Sequence, residues 1–171
     1  MQKQASWMLL LLSVLLISSC ASLKDKIPLD SSYVSCKFEL IVPTVDGPEK
    51  INGVVRLIKD EQVEISFRAP MVRSELAFLE YTPSQLLAVD RTNKLFATSG
   101  YPIINTKGVE AISFEAFQRK ILDAAFSSKR RVYMFASEFG WKLFGDATIE
   151  LYQFNAAPFD AKKVHLSKKY V

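Results

Sequence analysis

The chain is poor in reactive groups. Among its 171 residues there is one histidine, His165, and there are two cysteines, Cys20 and Cys36. A zinc site built from such ligands needs more donors than these. A Ser-His-Asp triad would have to use His165 as its base, and no Gly-x-Ser-x-Gly elbow accompanies it. Glycine is scarce as well, with six residues scattered along the chain and no phosphate-cradling loop among them. The adjacent carboxylates Asp60-Glu61 fall between two strand-like segments, where a solvated turn explains them. The sequence therefore predicts no catalytic residue, no metal ligand and no cofactor.

A block of like charge is missing too. Twenty-two Lys and Arg face eighteen Asp and Glu, for a formal charge of +4, and the signs are interspersed. No aromatic residues alternate with the basic ones, so a nucleic-acid partner is not expected. Three short basic groups, Lys129-Arg130-Arg131, Lys162-Lys163 and Lys168-Lys169, fit either anionic headgroups or a solvated surface. Lysines on an edge strand also discourage edge-to-edge pairing.

No apolar run is long enough to span a bilayer, which takes about 20 residues. The longest, Trp7–Ile17, covers eleven residues, is broken only by Ser13 and follows Lys3. That is the build of a secretion signal. It leads into Ile17-Ser18-Ser19-Cys20-Ala21, which resembles the lipobox of bacterial lipoproteins. There the cysteine thiol takes a diacylglycerol group, and small residues before it admit the signal peptidase. This predicts a signal peptide over 1–19, lipid attachment at Cys20, a polar tether over 20–32 and a single domain over 33–171. Removing residues 1–19 takes away only Lys3 and lowers the formal charge from +4 to +3. Several acyl chains, at about 0.8 kcal/mol per buried methylene, hold a membrane where one chain would be marginal. Cys36 is then either a solitary buried thiol or, were Cys20 not lipidated, its disulfide partner. Position 21 is alanine, and no acidic run follows the cysteine. Both features favour the periplasmic face of the outer membrane.

From Tyr33 onward, period two dominates. Cys36, Phe38, Leu40 and Val42 alternate with polar neighbours in Tyr33–Pro43. Further strands are predicted over Lys50–Lys59, Gln62–Arg68, Ser74–Tyr81, Leu86–Arg91 and Lys94–Thr98, joined by turns at Asp60-Glu61, Thr82-Pro83-Ser84 and Asn93-Lys94. Short strands linked by short turns make an antiparallel meander. The period lengthens near Ser113, a candidate N-cap. Phe117, Ile121, Leu122 and Ala125 then recur at helical spacing, predicting a helix over Phe114–Phe126. Arg131–Ala136, Trp141–Phe144, Thr148–Phe154 and Lys163–Tyr170 are again strand-like. The expected fold is mainly β, a curved antiparallel sheet or incomplete barrel with a helix across its concave face.

Between Ile51 and Phe126, the order of short motifs resembles the LolA/LolB superfamily of lipoprotein carriers and receptors. It resembles more closely an uncharacterised family of Bacteroidota outer-membrane lipoproteins related to it. The motifs are Gly53-Val54-Val55-Arg56-Leu57, Val63-Glu64-Ile65-Ser66-Phe67, Ala69-Pro70-Met71-Val72, Ser74-Glu75-Leu76, Val89-Asp90-Arg91, Lys94-Leu95-Phe96 and the segment Phe114 to Ala125. The resemblance implies a half-barrel enclosing an apolar site for acyl chains, with lipoproteins or lipids as cargo. Its walls would come from Phe38, Leu40, Val55, Leu57, Val63, Ile65, Phe67, Leu76, Phe78, Phe117 and Ile121. It also implies that Met71, beside Val72, projects toward membrane or cargo; packing of Met71 on the sheet rim is the alternative. The usual glycine of that loop is replaced by Val72 or Arg73, and the chain after Trp141 is shorter than the family's. Two functions remain open: an apolar-ligand binder in lipoprotein or lipid traffic, or an accessory lipoprotein docking other envelope proteins through a filled half-barrel. Phe38, Phe67, Phe78 and Phe117 would line the interior in the first and plug it in the second. For the anchor, Cys20→Ala is expected to abolish incorporation of labelled palmitate and release the protein from the membrane fraction, as read by autoradiography and fractionation.

Overall fold

A computed structural model describes residues 27–69, 74–100, 112–127, 129–141 and 145–162, with Ser99 described by its backbone alone. The elements run β1 Tyr33–Val42, β2 Glu49–Ile58, β3 Gln62–Arg68, β4 Glu75–Tyr81, β5 Gln85–Asp90, β6 Leu95–Gly100, α1 Phe114–Phe126, β7 Arg131–Phe135, a 3₁₀ turn Ala136–Phe139 and β8 Thr148–Asn155. The eight described strands form one antiparallel sheet in the order β6-β5-β4-β3-β2-β1-β8-β7. The sheet is open, with β6 and β7 at its edges. Six strands form the expected meander. The chain then passes through α1 and returns on the other side of β1.

The turns follow from local chemistry. Asp60 takes a left-handed backbone (φ 62°) between β2 and β3, a conformation short polar side chains tolerate. The Asp90 carboxylate accepts from the N–H groups of Thr92 (2.8 Å) and Asn93 (3.0 Å), closing the β5–β6 turn. Thr82 Oγ1 accepts from Gln85 N at 3.0 Å and braces β4–β5. Proline is kept out of every strand, as the ladder requires.

The helix begins where the cap predicts, with Ser113 Oγ accepting from Ala116 N at 3.2 Å. Its buried residues are Phe114, Phe117, Gln118, Ile121, Ala124 and Ala125, one stripe at helical period. Gln118 is the polar member of that stripe. Its amide accepts from Asp60 N (2.6 Å) and donates to Asp60 Oδ1 (2.8 Å). This two-way bond pins α1 to the β2–β3 turn.

The face of the sheet toward α1 carries the main core: Val34, Cys36, Phe38 and Leu40 of β1, Val55 and Leu57 of β2, Val63 and Ile65 of β3, and Ile149 and Leu151 of β8. Burying each large side chain contributes roughly 1.5–3 kcal/mol. Ile27, before β1, is half-buried against the same core.

Gly53 is the tightest point. A Cβ there would lie 2.2 Å from Phe38 Cε1 and 2.3 Å from the Ser66 carbonyl oxygen. Gly53→Ala is expected to cost about 3 kcal/mol or more through overpacking, whereas Gln118→Ala costs about 1–2 kcal/mol through the lost bonds. Urea denaturation of the two variants checks both magnitudes and their order.

Candidate functional site: the inner face of the sheet

The structure sorts the predicted wall residues into three groups. Phe38, Leu40, Val55, Leu57, Val63, Ile65, Phe117 and Ile121 converge in the main core, and half-buried Phe67 packs against them. Phe78 does not join them. It is buried on the opposite face, in a separate cluster with Leu87 and Val89. Leu76 belongs to neither cluster and is 37% exposed. Phe78 is level with Ser66 and so shares the outer face, while Leu76 falls at the register shift between β3 and β4 at Phe67/Arg68. Cys20, Met71, Val72, His165 and the strand predicted over Lys163–Tyr170 lie outside the described residues. So does most of the predicted strand Trp141–Phe144. Its first residue, Trp141, is buried beyond the 3₁₀ turn and not in a strand.

What fills the space between α1 and β1–β3 is a chain of aromatic rings. Phe38 meets Phe67 edge to face at 5.3 Å, and Phe67 meets Trp141 at 5.9 Å. Trp141 lies 6.3 Å from Phe117 and 5.8 Å from Phe139. Phe117 also touches Phe139 at 5.1 Å and stacks on Tyr81 at 4.8 Å. These spacings suit aromatic pairing. Burial pushes the Tyr81 phenol above its ordinary pKa, and a hydrogen bond with Trp141 pulls it partly back. Sequence periodicity missed Phe139, Trp141 and Ala147, all buried, because a 3₁₀ turn and a loop carry no repeating pattern.

Further along the sheet, the same face changes character. Leu79 of β4 is opposite Ala88 of β5, which is opposite Ala97 of β6. In the next row, Ala77 is opposite Asp90 and Asp90 opposite Leu95. Leu86, in the row beyond, belongs to the main core and fixes these rows to the inner face. Ala77 thus continues the row in which β1 and β3 present Phe38 and Phe67, Ala88 and Ala97 continue the aliphatic row of Cys36, Val55 and Ile65, and Leu95 at the edge is 49% exposed. Short side chains here leave an alanine-lined trough beside the aromatic cluster, with the Asp90 carboxylate in it, held by the β5–β6 turn.

Apart from the Phe78, Leu87 and Val89 cluster, the outer face is mostly polar and tied down. Residues 156–162 cross it from the end of β8. Phe159 meets Tyr33 edge-on at 5.5 Å, and Arg56 lies over its ring at 5.6 Å. The backbone N–H of Lys162 donates to Glu64, its ammonium pairs with Glu75, and it sits 4.8 Å above the Phe78 ring. Burial pushes the Glu75 carboxyl up, but its bonds with Lys162, Ser66 and Arg91 more than reverse this and leave it below its ordinary value. Neighbouring Glu80 is raised by burial and by the Glu64 charge opposite it. Gln62 donates to both Glu64 (3.1 Å) and Glu80 (3.2 Å). Each carboxylate is thus engaged in the sheet's own packing.

Beside the β1–β8 irregularity between Ser35 and Lys37 lies a cleft of about 420 Å³, lined among others by Lys37, Gln153 and Asn155. Gln153 is held there at φ 54°. The cleft is open and mixed in polarity, unlike the alanine trough. Cys36 is free and 2% exposed. Among the described residues, no buried side-chain polar atom lacks a hydrogen-bond partner, and no helix is long and apolar enough to cross a membrane.

No protein-family model matches the chain, and no curated protein matches it.

Burial pushes the Cys36 thiol up to about 12. It is expected to resist thiol reagents in the folded protein at pH 8 and to react at the ordinary cysteine rate once denatured, since only the thiolate attacks. Labelling kinetics with and without urea check this.

Proposed function

We propose that the chain is a non-catalytic bacterial lipoprotein of LolA/LolB-like build, held through Cys20 at the periplasmic face of the outer membrane. In this reading the inner face of the sheet shelters an acyl chain or another apolar ligand in lipoprotein or lipid traffic. The observation that carries it is the passage from rings to alanines along one face. The aromatic cluster forms a fixed floor. Ala77, Ala88 and Ala97 beside it leave depth for a slender apolar guest. An acyl chain needs a largely apolar wall, which Ala77, Leu79, Ala88 and Ala97 supply, while the Asp90 carboxylate among them is taken up by the β5–β6 turn.

A second reading draws on the ring cluster. Because Phe38, Phe67, Phe117, Phe139 and Trp141 already occupy the space under α1, the half-barrel also suits a docking module that presents its edges to other envelope proteins. The two readings part at the trough. Ala88→Phe would fill it without touching the ring cluster.

Mass spectrometry of lipids co-purifying with the protein provides the test. Bound acyl lipid in the parent, reduced at least several-fold in Ala88→Phe with an unchanged thermal transition, is the expected result. Parent protein free of lipid, and unable to accept a lipoprotein from solution, would sink the ligand-binding reading and leave the docking one.

A further inference from the structure

The second strand at the rim, β7, carries a surface that the ligand-binding reading does not use. Arg131, Tyr133 and Phe135 alternate outward, while Val132 and Met134 pack against the core. Tyr133 is 61% exposed and Phe135 57%, although β7 is a sheet strand whose other face is buried. Immediately before them stand Lys129 and Arg130, both exposed. The acidic groups on this side are engaged by other cations: Arg131 pairs with Glu150, and Lys50 with Glu39 at 2.8 Å. Among the described residues no acid is bonded to Lys129 or Arg130. Two exposed aromatics beside uncompensated cations match a bilayer interface, where rings settle at headgroup depth and cations meet lipid phosphates.

The strand register places this surface relative to the proposed anchor. Arg131 is opposite Tyr152, and Tyr152 is opposite Lys37. Phe135 is likewise level with Ile41 through Thr148, so β7 runs beside the Lys37–Ile41 half of β1, and its start lies four residues, about 13 Å, along β1 from Tyr33, where the chain enters. The two strands are separated only by β8, about 10 Å at the usual strand spacing. Ile27 is packed on the core, so seven Cα–Cα steps separate Cys20 from a fixed point. Fully extended, they reach about 24 Å. A lipid at Cys20 would hold this edge of the sheet within reach of the headgroups.

We propose that Lys129, Arg130, Tyr133 and Phe135 form a second membrane contact, which lays the β7 edge on an anionic phospholipid surface. The inference rests on the anchored reading only for what brings the surface to the bilayer. The contact itself is a property of the edge strand. It fixes the orientation of the domain, with β7 toward lipid and β6 away from it.

Hydrogen exchange of the full chain, reconstituted through its own anchor, tests this. One set of vesicles is pure phosphatidylcholine and the other a two-to-one mixture with phosphatidylglycerol. Among the described residues the outward amides of β7 have no strand partner, and they report contact directly. The expected result is slower exchange over 129–135 in the anionic vesicles alone, abolished by Lys129→Glu with Arg130→Glu and weakened by Phe135→Ser. Equal β7 exchange in both vesicle types, with the chain firmly held, overturns the proposal and leaves the anchor standing. A chain that washes off both vesicles refutes the anchor instead. In that case co-sedimentation of the same chain with anionic vesicles decides: a loss of partition of roughly 30-fold or more in the double charge reversal supports the contact, and no difference overturns it. Protection that appears only on adding another protein also overturns it.

Discussion

Two phenylalanine rings meet over a glycine, and the packing of the domain is arranged around that contact. Gly53 lies between Phe38 on β1 and Phe67 on β3, paired with each across the ladder. Because it has no side chain, the two rings touch across it at 5.3 Å. Phe67 then reaches Trp141, and through Trp141 the contact extends to Phe117 on the helix. One missing Cβ thus lets a residue near the start of the chain share a cluster with one near its end. Interiors packed this densely respond to single methyl groups.

The inner and outer faces answer to different constraints. Inside, apolar side chains make a continuous layer, and the polar intruder Gln118 is there because the β2–β3 turn needs its amide. Outside, Glu39, Glu64, Glu75 and Glu150 are each met by a cation or an N–H group. Exposed ion pairs of this sort add little stability individually. The partly buried ones hold register, because an unmatched carboxylate on a half-buried sheet face would be costly. These four carboxylates are therefore explained by architecture.

Much of the fold could be read from residue order. Gln62–Arg68 and Phe114–Phe126 have the bounds their patterns predict, since a clean alternation and a serine cap each leave one solution. The other described strands shift by a residue or two at their ends, where turns compete with pairing. Reading failed where pattern carries no direction. Leu76-Ala77-Phe78-Leu79 is apolar throughout, so alternation could not say which member faces the helix, and Phe78 fell on the wrong side. Trp141 was misplaced because a 3₁₀ turn precedes it. The pairing of β8 with β1 had no local signal either, because no turn links them.

That last pairing has a kinetic side. β1 is an interior strand whose neighbours are β2, seven residues downstream of it, and β8, which begins at Thr148. Six strands can zip by short hairpins, but the seam between β1 and β8 closes a loop of more than a hundred residues. Such distant pairing slows folding. Until the last strand is available, Phe38 and Leu40 sit on an open margin that any other unpaired segment could occupy. A nascent chain of this topology carries its greatest aggregation hazard at its beginning and relieves it only at its end, a schedule that suits a polypeptide kept extended until synthesis is complete.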